Sequence, residues 1–141
     1  MSTPAEHSEQ RFAANSLRAQ AAAILRAWGM PAEAAAATAQ LMVETDLLGV
    51  ESHGISMLPH YETMRASGRL NLSAAPRVLR DTPATAVLDG DAGLGHAVSA
   101  RAMQLAVDKA RASGIALVAV RNSHHFGAAG VYARIAQGQG L

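Results

Sequence analysis

The chain has 141 residues, half of them hydrophobic and only 4% aromatic, with a net charge of +1 and no cysteine. That is one domain's worth of chain; it excludes disulfides, thiolate chemistry and cysteine zinc sites, and its charge gives no sign of a nucleic-acid or anionic-membrane partner. No apolar run approaches membrane-spanning length and residues 1–10 lack the apolar core of a secretory signal, so a cytoplasmic protein with no membrane partner is the expectation.

Residues 1–11 read as a frayed lead. Asn15 or Ser16 can cap a first helix whose apolar positions Leu17, Ala21, Ile24, Leu25 and Trp28 follow helical spacing. Gly29 suits the position just past its end, and Pro31 the start of the next helix. The second helix carries Ala35, Ala39, Leu41, Met42 and Leu47 or Leu48, and stops at Gly49. The short link makes an αα-hairpin. Glu44 and Asp46 read as a solvated helix face.

Ser52-His53-Gly54 then turns into a third helix. That helix starts near Ser52, or near Ser56 if Pro59 takes its first turn, and ends before Gly68. Two readings of the turn stand side by side. In one, Ser52 is an ordinary N-cap and His53 a solvated first-turn residue. In the other, the helix start orients a polar or anionic ligand and the imidazole gives or takes a proton near neutral pH. His53, Met57, His60, Tyr61 and Met64 recur at three and four residues, a stripe that usually packs into a core. On one helix His53 and His60 would lie about 10.5 Å apart along the axis, too far to share a metal ion. No metal is expected.

Pro76 marks a break. Residues 77–80 and 84–88 read as two short strands. Gly93 and Gly95 make a tight turn more readily than a dinucleotide fingerprint, because Val98 replaces the third glycine. A helix over about 96–113, apolar along Val98, Ala102, Leu105, Ala106 and Ala110, ends at Gly114. His96 is expected to be a solvated first-turn residue. Residues 115–120 read as a buried strand, followed by a polar loop with His124 and His125 and a helix over 128–137. Strand, helix, strand predicts a crossover unit in a mixed sheet. A strand, a polar loop and a helix form the place where open α/β sheets hold ligands. The fold class is α/β, a helical segment over 1–72 followed by a mixed sheet with helices over 73–141, and not a standard Rossmann fold.

Glu44-Thr45-Asp46-Leu47-Leu48-Gly49 runs into Ser52-His53-Gly54, followed by Leu58-Pro59, Tyr61, Gly68, and Asn122-Ser123 with His125-Phe126-Gly127. In order and spacing this set resembles the type 2 malate/L-lactate dehydrogenase family. That family also holds sulfolactate and ureidoglycolate dehydrogenases and cyclic-imine and diketogulonate reductases. Its members are more than twice this long, so the resemblance is to their N-terminal part. It implies an oxidoreductase that uses NAD or NADP to interconvert a malate- or lactate-like 2-hydroxy acid and its 2-keto acid, as a homodimer. Residues 73–141 would then open the cofactor-binding domain.

The resemblance also assigns residues. His53 takes the acid/base position, with Ser52 in its relay. A group titrating near pH 7 serves both directions of the reaction, and hydride transfer belongs to the nicotinamide. His125 falls where some relatives place the proton-transfer group, and His125, Phe126, Gly127, Ala128 and Ala129 resemble a segment that touches the cofactor. His124 is the lesser candidate of the pair. Many relatives carry an arginine four residues after the motif histidine, on the substrate carboxylate. Here that substrate-binding position is Met57, which cannot form the bidentate pair. Two rival readings are a truncated, non-catalytic remnant that only folds or associates, and a histidine-based metal protein.

Overall fold

The computed structural model of the chain describes residues 11–141, so the expectations for residues 1–10 lie outside the described residues. Alanine-rich sequence lets two helices pack closely at the start. α1 (Ala14–Ala27) and α2 (Ala32–Leu47) form the predicted hairpin. Gly29 turns its corner at φ +103°, a conformation that glycine adopts without a Cβ penalty. The expected side-chain cap on α1 is corrected. Ala13 stands at the N-cap without a side-chain bond, and Asn15 accepts a hydrogen bond from Arg18 at 2.8 Å instead.

Leu25, Ala35, Met42 and Tyr61 are fully buried and build the main core cluster with Met64 and Leu70. Burying a large apolar side chain of this kind contributes roughly 1.5–3 kcal/mol. Ile24, Leu47 and Leu48 point outward instead.

α2 gives way to Gly49 at φ +78°. Two single 3-10 turns follow, Glu51–His53 and Ile55–Met57, before α3 (Leu58–Ala66). The third helix therefore begins at neither Ser52 nor Ser56. Pro59 lacks an N–H and fits only the first turn of a helix. Gly54, with ψ −140°, breaks the helical run between the two turns. The predicted stripe splits accordingly: Tyr61 and Met64 are buried, His60 is exposed, and His53 sits on a turn.

The sheet has three strands in the order β1 (Arg77–Asp81), β2 (Thr85–Gly93), β3 (Leu117–Ser123). β1 runs antiparallel to β2, and β2 parallel to β3. α4 (Gly95–Ser113) is the crossover between the parallel pair, ended by Gly114 in the left-handed region. α5 (Gly130–Gln137) follows β3. This is the mixed α/β fold that the sequence predicts.

Two strand expectations are corrected. β2 continues through 89–93, the stretch read as a glycine turn, with Asp91 and Ala92 at φ +54° and +53° and a register shift against β3. The cause is Asp89. Its side chain is buried and accepts hydrogen bonds from the Asn122 amide and the Asp91 N–H, both at 2.9 Å. The β3 stretch is not the buried strand that its apolar run suggests. Val118 packs on Leu88, Val98 and Ala102, whereas Leu117, on the opposite face, and Val120, two residues further along, are exposed.

Candidate active site

The two histidine stretches come together. His53 and His125 stand with ring centroids 5.6 Å apart and planes tilted by 33°. Each is reached by a different device.

His53 sits at the end of the first 3-10 turn, and Ser52 Oγ lies 2.9 Å from its Nδ1. Ser52 is thus not the N-cap of the simpler reading, since its hydroxyl is spent on the imidazole. Behind the turn, Asp46 accepts the Ile55 N–H on Oδ2 at 3.0 Å. Burial raises the pKa of this carboxyl, the Ile55 hydrogen bond opposes the rise, and nearby Glu51 adds to it. Glu44 pairs with Arg134 of α5 at 3.1 Å. The expectation of a purely solvated Glu44–Asp46 face is corrected: one carboxylate ties α2 to α5, the other holds the His53 turn.

His125 lies on the segment between β3 and α5. Two backbone bonds pin that segment to the β2–α4 junction: His124 N–H to Gly93 O and Gly95 N–H to His125 O, both 3.0 Å. A Cβ at Gly95 would stand 2.4 Å from the His124 carbonyl oxygen, and one at Gly90 2.8 Å from that of Asn122. The glycine run is therefore the bed on which the histidine stretch lies. Asn122, at φ +50° and bonded to Asp89, redirects the chain into it. His124 turns away, with Nε2 2.8 Å from the Arg69 carbonyl oxygen.

The side chain of His125 is held from inside. Tyr61 Oη lies 2.8 Å from its Nδ1, and the Gly127 N–H reaches the same atom at 3.3 Å. Burial lowers the pKa of His125, and His53 and His60 lower it further. The Nε2 atoms of His53 and His125 have no hydrogen-bond partner among the described residues. Both imidazoles are thus anchored at Nδ1 and free at Nε2.

His96 is the largest departure from expectation. It is 0% exposed, and both ring nitrogens lack a partner. Burial, with a smaller contribution from His125, lowers its pKa to about 3. The ring enters because Gly127 has no side chain: a Cβ there would lie 2.7 Å from His96 Nε2. It stands edge-on to Tyr61 at 5.7 Å between centroids. Met57 is half-buried and packs against the main core cluster. Phe126 is partly exposed beside Tyr132, whose hydroxyl donates to the Phe126 carbonyl. Among the described residues no group of three His, Cys, Asp or Glu could hold a metal ion. No described helix is long and apolar enough to cross a membrane.

The family model of the malate/L-lactate dehydrogenases matches residues 12–141, a span that includes both histidine stretches. The chain belongs to the malate/L-lactate dehydrogenase family. Among its family relatives, the L-sulfolactate dehydrogenase of Methanocaldococcus jannaschii is 43% identical over 118 residues, which cover 84% of this chain and 34% of that protein. The malate dehydrogenase of Pyrococcus abyssi is 44% identical over 118 residues, 84% of this chain and 33% of its own length. The solved malate dehydrogenase of Pyrococcus horikoshii OT3 superposes with a TM-score of 0.89 at 42% identity, covering 93% of this chain and 38% of that one. This family member therefore spans about one third of the length of the curated relatives it matches.

Sequence reasoning did not anticipate the parts played by Asp46, Tyr61, Asp89 and His96. A signal existed for Tyr61, which follows His53 on the same apolar stripe. None existed for Asp89, whose partner is 33 residues away.

Proposed function

We propose that this chain carries the proton-transfer part of a dehydrogenase that interconverts a malate- or lactate-like 2-hydroxy acid and its 2-keto acid, using NAD or NADP, as a cytoplasmic homodimer. The observation that carries the reading is the meeting of His53 and His125, each anchored at Nδ1, in a chain of the malate/L-lactate dehydrogenase family. In this reading residues 1–72 contribute the acid/base group and residues 73–141 open the cofactor-binding domain.

Reduction of the keto acid puts a hydride on the carbonyl carbon and a proton on its oxygen; oxidation reverses both. His53 gives or takes that proton at Nε2, with Ser52 in its relay through Nδ1. Bound nicotinamide supplies the hydride chemistry. The residues present fit such a group. The segment His125, Phe126, Gly127, Ala128, Ala129 sets the exposed Phe126 side chain beside the half-buried His125, and the small Ala128 and exposed Ala129 leave room there for a flat ring. Met57, at the substrate-binding position, offers a thioether and no charge, so the substrate carboxylate draws on other groups.

The test is a chimera in which residues 12–141 replace the matching part of the Pyrococcus horikoshii malate dehydrogenase. The expected result is nicotinamide-dependent turnover of malate, lactate or a related acid, and its loss on His53→Asn. A folded chimera that binds no nicotinamide and turns nothing over would leave the non-catalytic reading in its place.

A further inference from the structure

Both site imidazoles are held at Nδ1, but the holding groups differ in kind. Ser52 is exposed, and its hydroxyl can donate to His53 or accept from it. Such a contact permits either tautomer. At His125 one of the two groups is a backbone amide, and an amide N–H only donates.

The surroundings fix that amide. Gly127 is at φ +72°, with His96 packed against its Cα. The second group, Tyr61, is 0% exposed, and its hydroxyl has no other hydrogen-bond partner among the described residues. A buried hydroxyl has to be paired. Burial pushes the Tyr61 pKa up, so the phenol keeps its proton, and the unpartnered His96 ring closes the space behind it. A hydrogen on His125 Nδ1 would face the Gly127 N–H. The arrangement that satisfies all three groups has Nδ1 bare, accepting from both Tyr61 and Gly127, and the hydrogen on Nε2.

We propose that Tyr61 and the Gly127 amide form a tautomer lock that holds His125 as a fixed Nε2–H donor, so that His125 orients the substrate carbonyl oxygen without exchanging its proton. Tyr61 is then a positioning residue acting through His125. In reduction the proton on the new hydroxyl comes from His53, the hydride goes to carbon, and His125 ends the step with the same hydrogen it began with. A second proton on His125 is further opposed by burial and by His53 and His60. Two imidazoles in one site thus divide the work, one carrying the proton and one holding the oxygen. The chemical meaning of the lock rests on the dehydrogenase reading; its existence does not.

Long-range 1H–15N correlation spectra of the 15N-labelled 141-residue chain test the lock directly. The imidazoles are assigned with His125→Gln and His60→Gln variants, and spectra are taken from pH 6.5 to 8.5. The expected result is a His125 Nδ1 at the unprotonated limit and Nε2 at the protonated limit across the range. Exposed His60 should show the averaged shifts of exchanging tautomers. Tyr61→Phe should move His125 towards the averaged pattern. A wild-type His125 that is averaged like His60, or protonated at Nδ1, would overturn the proposal without any variant having to fold. The role is tested in the chimera, where glutamine keeps an N–H donor and does not titrate. His125→Gln should retain at least ten-fold more kcat than His125→Ala, with an unchanged pH profile; equal losses would overturn the donor role. A chimera inactive from the outset fails the dehydrogenase reading, while the spectra still decide the lock.

Discussion

The carboxylate of Asp46 occupies the space where a side chain on Gly54 would stand: a Cβ built on Gly54 would lie 1.7 Å from Asp46 Oδ1. The glycine after His53 is therefore required by contact, although its φ of −91° is open to any residue. Close packing of α2 against the turn is what sets the position of His53.

Gly54→Ala should push the turn off Asp46 and break the 3.0 Å bond to the Ile55 N–H. Overpacking of this kind costs about 1–3 kcal/mol. Urea unfolding of the variant should show a lower midpoint at unchanged slope. A midpoint equal to that of the parent would mean that Asp46 swings aside freely.

His96 should govern stability in acid. Its folded-state pKa, about 3, lies below the ordinary value of 6.5. Between these two values the unfolded chain binds more protons than the folded one. Stability is then full above about pH 6.5 and falls as the pH drops towards 3. His96 has no hydrogen bonds to lose, so His96→Leu leaves no orphaned group behind and should flatten the acid limb. Unfolding midpoints measured from pH 4 to 8 decide this, and an identical pH dependence in the two proteins would count against it.

His53→Asn in the chimera keeps polarity and removes titration. General acid–base catalysis contributes roughly 10²–10⁴-fold, so kcat should fall by about that factor while nicotinamide affinity stays nearly constant. Retention of kcat with an unchanged pH profile would pass the acid/base role to His125.

Met57→Arg in the chimera should restore a partner for a substrate carboxylate. A hydrogen bond to a charged group contributes about 1.5–3 kcal/mol, so KM for malate or lactate should fall by roughly ten-fold or more. An unchanged KM would mean that this half-buried side chain, packed on the core, does not reach the substrate.

Sequence by itself determined the local elements. Helical spacing of Leu17, Ala21 and Leu25 and the positive-φ glycines Gly29, Gly49 and Gly114 were legible, because each depends on neighbours a few residues away, and the crossover from β2 through α4 to β3 followed from the order of those elements and the fixed hand of such connections. The two histidine motifs were also legible as residues, through their order and spacing. What surrounds them was decided only in the tertiary structure. His96 reads as a solvated helix start, and is sealed because Gly127, from another part of the chain, leaves room for its ring. Asp46 reads as a solvated carboxylate, and grips the turn that follows its helix. The run from Asp89 to Gly95 reads as a turn, and instead carries β2 on to Gly93 with a register shift, its glycines leaving room for β3 and the histidine stretch. Tyr61 reads as one more apolar stripe residue, and its hydroxyl meets His125 64 positions later. Burial and hydrogen-bond partners belong to pairs of distant segments, and local periodicity carries no information about which distant segment arrives.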